Sequence, residues 1–86
     1  MPTICVFYGI YVTMYWNDHS PPHFHAAYGS QTVLIDIRTT SVLQGDLPKR
    51  ELKLVLQWAR EHKQELMENW NLCQKGQHPH QIAPLA

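Results

Sequence analysis

The chain has 86 residues, with seven Lys plus Arg against seven Asp plus Glu and a formal net charge of +0 at pH 7. That balance excludes a polybasic, histone-like binder of nucleic acid, and the length allows one small core with no room for a second domain. Hydrophobic residues make up 44%, including three Trp, four Tyr and two Phe, enough to fold, yet no apolar run approaches the roughly 18 residues of a membrane span.

Cys5 and Cys73 stand near opposite ends of the chain and form no CxxC pair, so neither a disulfide framework nor a thiolate zinc site is expected. The start, Met1-Pro2-Thr3, lacks the basic and long apolar segments of a signal peptide. A cytoplasmic protein is the expectation. Histidine is the outlying residue type: the chain has six, three of them at 19, 23 and 25.

Taken in chain order, the first half predicts strands. Thr3 to Tyr8 is nearly all apolar or aromatic, Gly9 marks a bulge or tight bend, and Ile10 to Trp16 is β-branched and aromatic. Alternation along this second run puts Ile10, Val12, Met14 and Trp16 on a core face and Tyr11, Thr13 and Tyr15 on the other. Asn17-Asp18-His19-Ser20-Pro21-Pro22 is a stiff, extended connection. His23 to Tyr28 alternates again, with His23, His25 and Ala27 opposite Phe24, Ala26 and Tyr28. Gly29-Ser30 is a hairpin signal, and Gln31 to Ile37 sets Val33, Ile35 and Ile37 against Leu34 and Asp36. A further short strand is placed at Ser41 to Leu43.

Gly45-Asp46-Leu47-Pro48 predicts a helix start, with Asp46 as cap and the proline tolerated in the first turn. A helical stripe of Leu52, Val55, Ala59, His62, Leu66, Trp70 and Cys73, widened by Leu56 and Met67, runs to about Lys75, and Gly76 ends it. The chain therefore reads as α+β: a small, mostly antiparallel sheet of three to five strands packed on one long or kinked C-terminal helix. The domain is placed at 1–75 and an extended, proline-containing tail at 76–86. The face of the sheet without the helix is expected to carry Tyr11, Tyr15, His23, His25 and Asp36.

Chemistry concentrates in Asp18-His19-Ser20-Pro21-Pro22-His23-Phe24-His25. Histidines two apart on a strand lie side by side, roughly 7 Å apart at the backbone, a spacing that lets both bind one metal ion. His19 is the candidate third ligand, giving zinc or another divalent ion three histidines and an open position. Asp18 or Asp36 would orient a ring. Without a metal, two of these imidazoles can serve as general acid and base on a phosphodiester. The bland alternative is that the rings only brace a short sheet through bonds to backbone and tyrosine hydroxyls. His62, on the apolar stripe, is either a fourth member of the site or a core histidine satisfied by the backbone. Lys49, Arg50 and Lys53 crowd the helix start, against the preference of the macrodipole; they are candidate contacts to a phosphate or acidic partner, beside Tyr11 and Tyr15, or simply a solvated face. Trp58, with Leu54, is either an exposed patch for a partner or a wrapped edge of the core.

These residues carry a resemblance. Met1-Pro2-Thr3-Ile4 with Phe7-Tyr8-Gly9-Ile10, the Asp18-His19-x-Pro21-Pro22-His23-Phe24-His25-Ala26 motif, Gly45-Asp46-Leu47-Pro48, and Trp58-Ala59-x-x-His62 with Glu65-Leu66-x-x-Asn69-Trp70 resemble the bacterial family called domain of unknown function 4160 over nearly the whole chain. The resemblance implies that His19, His23, His25 and His62 occupy motif positions. In the tail, His80-Gln81 stands where the resemblance leads one to expect a lysine. Genes of the family often lie beside a small second gene, a layout similar to toxin-antitoxin modules. The resemblance thus implies a toxin-type component that inhibits growth through RNA cleavage or translation, held by a cognate small antitoxin. The alternatives are a divalent-metal-binding protein or hydrolase, and a non-catalytic module, even the neutralising half of the pair. A cognate protein, RNA and a hetero-oligomer or homodimer are the expected partners, with no membrane.

Overall fold

The computed structural model describes residues 2–86. Five strands, β1 (Thr3–Phe7), β2 (Ile10–Thr13), β3 (His23–Tyr28), β4 (Gln31–Asp36) and β5 (Ser41–Gly45), precede helices α1 (Lys49–Glu61) and α2 (Lys63–Gln74). The strands form one sheet in chain order, each pair antiparallel. The fold is the α+β arrangement the alternation predicts, with the helix in two pieces.

Each hairpin follows from its turn residues. Tyr8 and Gly9 both have positive φ, 50° and 77°, the two left-handed positions that suit a tight turn between right-twisted strands. At the end of β4, Asp36 accepts the backbone N–H groups of Arg38 and Thr39 on one carboxylate oxygen at 2.8 and 3.1 Å. Its side chain shapes the turn into β5 and does not orient a histidine. Gly45 closes β5 at φ 81°, where a Cβ would stand 2.2 Å from the Thr32 carbonyl oxygen; only glycine fits there.

The covered face buries Ile10, Val12, Met14, Phe24, Ala26, Val33, Ile35 and Ile37 against Val55, Trp58, Ala59, Leu66 and Cys73 of the helices. Trp16 departs from this pattern. The strand stops at Thr13, so the alternation does not carry through, and Trp16 is 38% exposed, donating its indole N–H to the Gln77 carbonyl at 3.1 Å. Trp58, by contrast, is fully buried. Its ring lies 5.5 Å from Phe7 and 5.8 Å from Phe24, and its N–H reaches the Ala83 carbonyl at 2.8 Å.

The helix start differs from expectation. Pro48, at φ −54° and ψ 146°, is the capping residue of α1 with no side-chain bond, while Asp46 accepts the N–H of Leu47. The long stripe breaks at His62, whose φ of −118° and ψ of 24° lie off the helical values and separate α1 from α2. Both pieces bury residues in the one core, Val55, Trp58 and Ala59 from α1 and Leu66, Trp70 and Cys73 from α2.

The tail is docked. Ile82 is buried and donates its N–H to Ile4 of β1 at 2.9 Å, and Gln81 reaches the Thr3 carbonyl at 2.7 Å. Fully buried Asn69 clamps His80 in both directions: its amide N–H donates to the His80 carbonyl at 2.9 Å and its oxygen accepts the His80 N–H at 2.8 Å. No described helix is long and apolar enough to cross a membrane.

Candidate functional site

The site sits at one end of the sheet, where β3 begins and the C-terminal half of α2 meets the loop between β2 and β3. That loop is held from both sides. Asn17 turns the chain through φ 54° and donates its N–H to the Cys73 carbonyl at 3.3 Å. Gln74 donates to the Asp18 carbonyl at 3.1 Å, and the Pro22 carbonyl accepts the Ile37 N–H at 3.0 Å. With Pro21 and Pro22 restricting the backbone, the Asp18 side chain is fixed over β3.

Asp18 is the hub. One of its carboxylate oxygens, Oδ2, lies 2.9 Å from His23 Nε2 and 3.4 Å from His25 Nε2. One oxygen and two ring nitrogens all fall within 4.8 Å of one another. His23 is buried, packed against Trp70 of α2 at 5.2 Å between ring centroids, and its Nδ1 lies 2.7 Å from the Pro21 carbonyl. A carbonyl only accepts, so Nδ1 carries the hydrogen. Without a second proton, the His23 ring would point a bare Nε2 lone pair at a carboxylate oxygen. That contact is attractive only when a proton or a metal ion lies between them. His25, half-buried, is braced edge-on by Tyr15 at 4.4 Å.

Burial lowers the His25 pKa from its ordinary value of 6.5, helped by the charge of His23 and opposed by the bond to Asp18. For Asp18, burial alone would raise the carboxyl. The His19 backbone N–H and the two imidazoles outweigh it, and the pKa falls below 3.8. Both shifts weaken the protein in acid. The unfolded chain binds the proton more readily at each group, so the His25 contribution is intact above 6.5 and lost as pH falls below it, and the Asp18 contribution is lost below 3.8. The melting temperature of metal-free protein is expected to decline on acidification from neutrality; a flat or rising profile by calorimetry contradicts these shifts.

The cluster faces a cleft of about 410 Å³ lined by Tyr15, His19, Ser20 and Pro21 on the loop side and by Leu34, Leu43 and Gln44 on the sheet side. His19 stands at its exposed rim, beside Asp18 in sequence but outside the converging donor set. The carboxylate, not the His19 imidazole, joins His23 and His25. His62 lies elsewhere. It stands between α1 and α2, pairing with Glu65 of α2 at 2.6 Å and lying against Trp58 of α1 at 5.5 Å between ring centroids. Lys49, Arg50 and Lys53 are exposed on α1 and Tyr11 on the sheet, all outside the cleft lining, which contains no Lys or Arg. Sequence reasoning missed Asn17, Gln74 and Trp70 as the residues that set the loop and the His23 ring; the positive φ of an Asn at a turn is the one local signal for them.

No curated protein and no solved structure matches the chain. A family model described as Domain of unknown function (DUF4160) matches residues 9–71, a span that holds Asp18, His23 and His25 and leaves out β1 and the docked tail. The chain belongs to the DUF4160 family.

Proposed function

We propose that the protein binds one divalent transition-metal ion, zinc first among them, through Asp18 Oδ2, His23 Nε2 and His25 Nε2, with a coordination position open to the cleft. The observation that carries this reading is the convergence of Asp18 Oδ2, His23 Nε2 and His25 Nε2 within 4.8 Å of one another. His23 Nδ1 lies 2.7 Å from a backbone carbonyl, the arrangement that orients metal-binding histidines, and leaves Nε2 facing the carboxylate. Ligands of a tetrahedral zinc with bonds of about 2.0–2.1 Å lie about 3.3 Å apart, so small side-chain rotations bring the three donors onto one ion. Two histidines, one carboxylate and an open position suit zinc hydrolysis or iron(II) chemistry alike. A metal-free acid–base pair is less favoured. The Asp18 carboxylate touches both rings and would repel a phosphate beside them, and no lysine or arginine lines the cleft to offset it.

The family resemblance supplies a setting for this site: the growth-inhibiting, toxin-type component of a two-gene module, held by a cognate partner, with RNA or the translation machinery as its target. Under that reading, inducing the wild type without its partner arrests growth, and a soluble, folded His23→Ala/His25→Ala variant does not. Unimpaired growth under wild-type induction contradicts the toxin role and leaves metal binding to be judged by metal content alone.

A further inference from the structure

We propose that two copies of this chain pair through β5, antiparallel about a two-fold axis near Leu43, and that the second copy walls the outer side of the cleft. The inference is independent of the metal.

The two edges of the sheet are treated differently. At β1 the chain's own tail lies along the edge, through the Ile82 and Gln81 bonds to Ile4 and Thr3. At β5 nothing in the described residues does so. Every residue of Ser41–Gly45 is exposed, and the strand contains no charge and no proline, two of the usual guards of a free edge; its one irregularity is a bulge at Leu43, between Val42 opposite Ile35 and Gln44 opposite Leu34. Val42, opposite buried Ile35, is still 42% exposed, and Leu43 is 44% exposed. Val42 lies on the Ile35 side of the sheet and Leu43 on the cleft side, so an incoming strand meets apolar side chains on both faces as well as an open row of backbone groups.

Charge selects the occupant. Arg38 precedes the strand in its turn, and Asp46 follows it directly, both exposed. A two-fold antiparallel pair sets the Arg38 end of each copy beside the Asp46 end of the other; a parallel pair would set like against like. The chain is neutral overall, so two copies do not repel. Because each tail covers β1, the pairing closes at two and cannot extend into a fibre. Leu43 and Gln44 line the cleft, which places the second copy against its open side.

The test uses the full-length, tag-free chain. Light scattering on a sizing column is expected to give about twice 10.0 kDa at high micromolar concentration, dissociating on dilution. Leu43→Lys, which sets two charges opposite each other at the axis, is expected to weaken the dimer at least about tenfold with an unchanged circular dichroism spectrum. Paired strands hold opposite Cα atoms about 4.5–5.5 Å apart, within disulfide reach. Leu43→Cys should therefore cross-link under mild oxidation much faster than Ser30→Cys on the far hairpin, the native Cys5 and Cys73 being buried. A wild type that stays at 10.0 kDa throughout, a Leu43→Lys dimer as tight as wild type, or equal cross-linking at the two positions overturns the proposal.

Discussion

Asp18→Asn is expected to weaken zinc binding by about a hundredfold or more while leaving the fold intact. The substitution keeps the shape of the side chain and removes its charge, so one of three donors turns from an anionic oxygen into a neutral amide. Asp18 is partly exposed and its backbone carbonyl, not its carboxylate, takes the Gln74 bond, so the loop keeps its anchor. His19→Ala, one residue along, is expected to leave zinc affinity within about twofold, because His19 lies outside the donor set. Isothermal titration of both variants decides between two ligand sets that the sequence leaves open. Equal losses would return His19 to the site, and no loss in Asp18→Asn would remove the carboxylate from it.

The second large effect concerns Trp58. Trp58→Ala is expected to cost about 3–5 kcal/mol, since the ring is fully buried between Phe7 and Phe24 and holds the tail through Ala83. A domain of this size commonly has only about 4–13 kcal/mol in total, so the loss lowers the melting temperature by roughly 15–30 °C. Trp58→Phe keeps most of the packing and loses the indole bond, an expected cost of about 1–2 kcal/mol. Denaturant unfolding separates the two. An alanine variant as stable as wild type would mean that Trp58 is not the centre of the core.

The strands and their faces were legible because period-two alternation is a local property: His23 and His25 share a face whatever the rest of the chain does. The Gly29-Ser30 hairpin was legible for the same reason. Selection between Asp18 and His19 was not. Adjacent loop residues point apart, and which one turns inward depends on the left-handed Asn17 and on Gln74, 56 positions away. Trp58 was misread although the spacing was present: it stands three residues after Val55 and beside Ala59 inside α1, so the buried face of that helix is centred on these three residues and not on the stripe running through His62. Asn69 stood in the sequence only as a motif position, and its role is visible only with the tail folded back onto it. Long-range contacts thus decided which side chain joins His23 and His25, while local pattern put the two histidines on one face.

The most direct test of the metal centre is the metal content of tag-free protein purified without chelator, read by elemental analysis and confirmed by zinc uptake after stripping. The account predicts close to one divalent ion per 10.0 kDa chain, lost on chelation and regained with zinc. Protein that carries no metal and takes up none would show that the Asp18–His23 contact is bridged by a proton alone, and that the cluster is a brace for the loop.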